Sequence, residues 1–227
     1  MAVELKQHFV AFLDLLGFKS MVQADSAAET DQYLSKLFRC HQSAGTIFGG
    51  NPNCQIIQFS DSIVVSTPYE ADGFEWFAEK ISEYQRFLLD EEILCRGGIA
   101  VDKHFSNGTF TFSAGLISAY KVESESARYP RIVVSEEVIQ LLYPEESKIS
   151  KFLAKEDDGL YFIDYIGSTK RKKPKKLIGA INNLIASLSS NHSPSVREKG
   201  LWLATYSDST LDTKLCEPRF KGKNIKT

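Results

Sequence analysis

The chain has 227 residues, 43% of them hydrophobic and 25% charged, which suits one large domain or one domain with a C-terminal appendage. A formal charge of −2 excludes a global basic field for nucleic acid or anionic membranes, so any polyanion must be gripped by a local site. Met1 to Gln7 carries Glu4 and Lys6 without a long apolar stretch, and no run approaches the ~18 apolar residues of a membrane span. The four cysteines (Cys40, Cys54, Cys95 and Cys216) form no C-x-x-C pair and read as free thiols beside apolar runs. The expectation is a soluble, reduced, cytoplasmic protein with neither membrane nor nucleic acid as partner.

His8 to Leu13 is almost wholly apolar and predicts a buried central strand ending on Asp14, with Leu15, Leu16, Gly17 and Phe18 after it. Ser26 to Thr46 has helical spacing, with Tyr33, Leu34, Leu37, Phe38 and His41 on one face. Gly49 to Pro52 breaks it. Cys54–Phe59 and Ile63–Val65 are two apolar runs parted only by Ser60, Asp61 and Ser62, the spacing of a tight hairpin with Asp61 at its tip. A helix follows from about Gly73 to Leu89, burying Phe74, Phe77, Ile81, Tyr84 and Leu88.

Ile93 to Val101 reads as a strand containing Arg96, Gly97 and Gly98, and Asn107-Gly108 predicts a two-residue turn to a strand at Thr109–Phe112. Gly115 to Ala127 is helical, Pro130 to Val134 returns to strand, and Tyr161 to Ile166 is an edge strand. This order predicts an α/β (α+β) fold: a mixed, largely antiparallel sheet flanked by helices, unlike a doubly wound pattern. Composition shifts after Ser168. Six basic residues surround Pro174, then come an amphipathic stripe from Leu177 to Leu188 and a last helix from Val196 to Tyr206. The expected division is 1–168 for the main domain and 169–227 for a C-terminal helical extension packed on it.

Asp14 and Asp61 each end or cap an apolar strand with no basic neighbour in sequence. Two carboxylates brought together at strand ends repel and favour a bound dication, although aspartate also caps turns and helix starts. Backbone N–H groups from Leu15 to Phe18 suit a phosphate at a helix start, whereas a glycine after a strand is often only a turn. Arg96 reads as a solvated ion-pair partner or an anion contact. The basic run Lys170–Lys176 lacks interleaved aromatic residues and reads as a solvated loop. The four histidines show no metal-ligand spacing, and no elbow, P-loop or Cys/His pair offers a covalent nucleophile.

Together these pieces resemble the class III adenylate/guanylate cyclase catalytic domain. Phe12-Leu-Asp14-Leu-Leu-Gly17-Phe18 is similar to the family's first metal motif. Phe59-Ser-Asp61-Ser62 is similar to its second metal-aspartate hairpin, with Ser60 where glycine is usual, and Arg96-Gly-Gly-Ile99 to the strand before its next hairpin. Within that superfamily the chain looks most like the stand-alone pyrimidine cyclases of bacterial Pycsar anti-phage systems, with Ala119-Tyr120, Glu123, Ala127 and Pro130-Arg131-Ile132 as further pointers.

The resemblance implies a lyase that turns UTP, or CTP second, into a cyclic monophosphate and pyrophosphate. Two divalent cations (manganese or magnesium) would be held by Asp14, Asp61 and the Leu15 carbonyl, with phosphates on the amides of Leu16, Gly17 and Phe18. It further implies a homodimer, and a separate effector protein that senses the product. Purine cyclases keep a base-reading lysine where this chain has Ile57, and an asparagine and arginine where it has Ala119 and Glu123. Gln55 and Ile57 are therefore the expected base contacts, and Tyr120, Lys121 and Arg128 the candidates for the absent transition-state pair. A non-catalytic cyclase-like domain and another two-metal phosphoryl-transfer enzyme, such as a nuclease, stand as rival classes.

Overall fold

The apolar run after Lys6 is strand β1 (Lys6–Leu15), and it lies inside the sheet with a partner on each side. The computed structural model describes residues 4–168 and 174–217, and the chain divides into two compact units, Met1–Lys170 and Arg171–Thr227. In the first unit β1 runs into helix α1 (Phe18–Ala27), then α2 (Tyr33–Phe48). Strands β2 (Gln55–Phe59) and β3 (Ser62–Pro68) form the predicted hairpin, and α3 (Gly73–Asp90) follows. Strands β4 (Cys95–Ser106) and β5 (Thr111–Ser113) precede α4 (Ala114–Ser126). Strand β6 (Ile132–Val134), helix α5 (Glu136–Leu142) and strands β7 (Leu153–Lys155) and β8 (Tyr161–Ile163) complete the unit. The sheet order is β2-β3-β1-β4-β6-β8-β7, with β5 paired to β4. Among these strands β4 and β6 run parallel and the other pairs antiparallel, as the sequence predicts.

The two faces of the sheet are unequal. Phe9, Ala11, Leu13 and Leu15 of β1 point into a large core with Phe74, Phe77, Ile81, Tyr84 and Leu88 of α3, and with Cys40, Ala44 and Phe48 of α2. The other face carries a small apolar cluster, Val10, Val64, Ala100 and Ala119, edged by Phe12, Ile57 and Leu116. Helix α4 covers that face closely because Gly98 has no side chain. A Cβ there would overlap the Ala119 carbonyl oxygen and stand 2.7 Å from the Glu123 nitrogen.

Several expectations change, among them the edge strand expected from Tyr161 to Ile166, which stands inside the sheet as β8 with β7 at the edge. The helix foreseen from Ser26 to Thr46 is split, because the Asp25 carboxylate accepts the Gln32, Tyr33 and Leu34 N–H groups and starts α2 afresh. Leu37 packs against the edge of the main core, while Tyr33, Leu34, Phe38 and His41 lie off it, leaving Leu34 59% and Phe38 56% exposed. The Asn107-Gly108 turn has four residues rather than two. Asn107 Oδ1 accepts the Thr109 and Phe110 N–H groups, so neither joins the ladder and β5 begins at Thr111. The sequence reading also missed α5, whose cap Ser135 accepts from the Val138 N–H, and the three-residue strand β7.

In the second unit α6 (Pro174–Ser189) and α7 (Pro194–Leu211) form a helical hairpin, with Gly200 passing close to Leu188. Asp208 accepts from Thr213 Oγ1 and from the Leu215 and Cys216 N–H groups, folding the following segment back. Lys170 to Lys173 of the basic run lie outside the described residues, while Lys175 and Lys176 open α6. No described helix is long and apolar enough to cross a membrane.

Candidate active site

Asp14 stands next to last on β1, opposite Ser62 of β3 on one side and Arg96 of β4 on the other. Asp61 is the second of two loop residues joining β2 to β3, and its carbonyl accepts the Leu15 N–H at 2.9 Å. The hairpin and the end of β1 are thus bonded together, which brings the two aspartates to one corner of the sheet. Ser60 reaches this turn with φ +57°, a left-handed conformation natural to glycine, so the position suits the glycine of the resembled motif and serine holds it under strain.

The absence of a basic neighbour, expected from sequence, is corrected. Arg96 Nε donates to Asp14 Oδ2 at 3.1 Å, across the strand pairing. The same nitrogen lies 2.8 Å from Oε1 of Glu123, whose side chain is 3% exposed. Burial is the first cause that raises the Glu123 carboxyl above its ordinary range; Arg96 opposes the rise and Asp14 reinforces it. The half-buried Asp61 carboxylate has no partner among the described residues.

The amide cradle is narrower than expected. The Leu16 N–H is taken by the Leu94 carbonyl at 2.8 Å, so Leu16 offers no donor. Gly17, with φ +84°, turns the chain straight from strand to helix, and the amides of Gly17 and Phe18 stand at the unpaired start of α1. Gln55 and Ile57 share the Asp14 face by register, since Ile57 opposes Val64, which opposes Phe12. They lie roughly two strand spacings, about 10 Å, to the side of β1. Ile57 packs against the small cluster, and Gln55 Nε2 donates to the Ser106 carbonyl at 3.2 Å.

Ala119 and Glu123 of α4 are both buried, so neither restores the absent asparagine and arginine. Tyr120 is exposed and meets Phe12 edge-on. Beside the Asp61 hairpin, α1 and α2 enclose a cleft of about 570 Å³ lined mainly by apolar groups, including Phe18, Leu34 and Phe38, with Asp25 and His41 among its polar ones.

The donor set at this corner suits a hard dication. Asp14 and Asp61 offer carboxylate oxygens, and the Arg96 guanidinium beside Asp14 shows that the position draws positive charge. No group of three or more His, Cys, Asp or Glu side chains is assembled for a metal among the described residues. Backbone carbonyls, water and substrate oxygens must therefore supply the remaining ligands.

No family model matches the chain, and no curated protein matches it in sequence. Among solved structures it is similar to the adenylyl cyclase CyaB from P. aeruginosa (TM-score 0.50, 16% identity), with 76% of this chain and 98% of that one covered. It is equally similar to the monomeric guanylyl cyclase domain of the RhoGC fusion protein from the aquatic fungus Blastocladiella emersonii (TM-score 0.50, 14% identity), covering 72% and 98%. The chain has the fold of the class III cyclase domains, including the mixed sheet and its helices.

Proposed function

We propose that this chain is a metal-dependent nucleotide cyclase that converts UTP, with CTP second, into a cyclic monophosphate and pyrophosphate. The observation that carries the reading is the corner where Asp14 and the unpartnered Asp61 meet beside Arg96 and the start of α1. Asp14, Asp61 and the Leu15 carbonyl would hold two divalent cations, manganese or magnesium. When bound, these cations activate the ribose 3′-hydroxyl and neutralise the triphosphate. The Gly17 and Phe18 amides donate to phosphate oxygens at a helix start, where the dipole favours anions.

In the reaction the 3′-oxygen forms its bond to the α-phosphorus in line as the bond to the leaving pyrophosphate breaks. Arg96 supplies positive charge beside Asp14, in place of the arginine that α4 lacks. Ile57 gives apolar bulk where a purine reader needs a polar partner, which favours one ring over two. Gln55, with one N–H committed to Ser106, keeps a second N–H and its carbonyl oxygen for a pyrimidine edge. The order UTP before CTP rests on the motif resemblance, since both bases present a matching donor and acceptor. So does the product's role as a second messenger for a separate effector in bacterial anti-phage defence.

A homodimer completes the reading. The site face leaves Phe59 80% exposed, together with Ile117 and Tyr120, apolar area that a second copy would cover. The test is turnover of the four nucleoside triphosphates with manganese, read as cyclic product. UTP is expected fastest, with the purines at least tenfold slower. ATP or GTP at rates near UTP overturns the pyrimidine reading. Nucleotide binding without any cyclic product identifies a non-catalytic domain, and cleavage of nucleic acid identifies a nuclease.

A further inference from the structure

Glu123 is expensive where it stands. Its side chain is almost wholly enclosed under α4, and a buried carboxylate is tolerated only with compensation. The compensation is incomplete, because Oε1 accepts no hydrogen bond among the described residues although Arg96 Nε is 2.8 Å away. Arg96 Nε carries one hydrogen, and that hydrogen is directed at Asp14 Oδ2. One donor thus stands between two carboxylates, one of them at the proposed metal corner and the other in the protein. The close seat of α4 on Gly98 fixes this arrangement, since no side chain at 98 holds Glu123 away from the strand.

We propose that Glu123 is a positioning residue: it retains the Arg96 guanidinium at the site when a divalent cation takes over Asp14. This rests on the reading of Asp14 as a metal ligand. In the metal-free protein Arg96 shields Asp14. When the cation binds, the Nε–H turns from Asp14 to Glu123 Oε1, and the guanidinium stays beside the corner instead of swinging into solvent. Without Glu123, Arg96 has Asp14 as its one carboxylate and competes with the cation for it.

The test measures manganese binding to the full chain without nucleotide, by titration of the free-ion electron paramagnetic resonance signal. Glu123→Gln keeps the shape of the side chain and is expected to weaken manganese binding about tenfold. Arg96→Gln is expected to tighten it, and the double variant to lose the Glu123→Gln penalty. Glu123→Asp keeps the charge but is one methylene too short to reach Arg96, so it should behave like Glu123→Gln. Wild-type affinity in Glu123→Asp alongside a loss in Glu123→Gln means that Glu123 acts through its field rather than by placement, and overturns the proposal. So does unchanged binding in Glu123→Gln. Should that variant fail to fold, Arg96→Gln alone decides, and unchanged or weaker binding there ends the idea. A wild-type protein that binds no manganese removes the underlying metal reading, an outcome distinct from all of these.

Discussion

At the start of α4, His104 is buried between two hydroxyls, Ser66 Oγ at 3.1 Å from Nε2 and Ser113 Oγ at 2.7 Å from Nδ1. Ser113 also accepts the Leu116 N–H and so caps the helix. Further along the same helix, Glu123 is equally buried, yet it shares one guanidinium with Asp14 and leaves an oxygen unbonded. Both places lie on the same face of the same strands. The first is neutral and satisfied at every polar atom on the His104 ring, which is how a structural polar contact is built. The second is charged and incompletely paired, an arrangement that costs stability and persists at sites that bind something else.

The largest expected effect breaks the charged place outright. Asp14→Ala and Asp61→Ala should each lower cyclisation at least a hundredfold, about 2.7 kcal/mol in the barrier, while the thermal midpoint holds or rises. Turnover above a tenth of wild type in either variant removes that residue from the site. Next, Gly98→Ala forces a methyl into the Ala119 carbonyl and lifts α4 from β4. A loss of about 3 kcal/mol is expected in denaturant unfolding, with cyclisation lost as Glu123 and Arg96 part.

The neutral place is probed by pH. Burial, reinforced by His8, pushes His104 down to about 4 from an ordinary 6.5. The unfolded chain therefore takes up a proton that the folded one refuses between those values. Stability is whole above pH 6.5 and falls by about 3 kcal/mol as the pH drops through 4. His104→Gln should flatten that slope in unfolding curves collected from pH 4 to 7, and an unchanged slope assigns it elsewhere. The smallest effect sharpens the hairpin: Ser60→Gly relieves the left-handed φ and should gain about 0.5 kcal/mol, read as a rise in the denaturation midpoint.

What sequence made legible follows the range of the forces involved. β1, the Ser60-Asp61 hairpin and the buried stripe of α3 come from local periodicity and a two-residue loop, and all three stand as expected. The break between α1 and α2 was hidden because Asp25 caps a helix that begins eight residues later. The apolar run at Tyr33 and Leu34 misled for another reason: α2 is apolar on two faces, and the one through Cys40, Ala44 and Phe48 won the core. The Asp14 and Arg96 pair joins residues 82 apart, set by strand register that no local pattern encodes. The sequence set Glu123 where the resembled family keeps an arginine, and its burial comes from the close seat of α4 on Gly98, which no local pattern encodes.

The position of β1 between β3 and β4 has a consequence in time. The first-made strand waits for both of its neighbours, and the second of them ends at Ser106. On a ribosome adding ~5–20 residues per second, Asp14 leaves the exit tunnel several seconds before Arg96 exists to meet it. Until β4 follows, the apolar run of β1 can be paired on one side only, by β3 of the earlier hairpin. The proposed catalytic corner is consequently complete only once β4 has been made, and a chain truncated before β4 cannot assemble it.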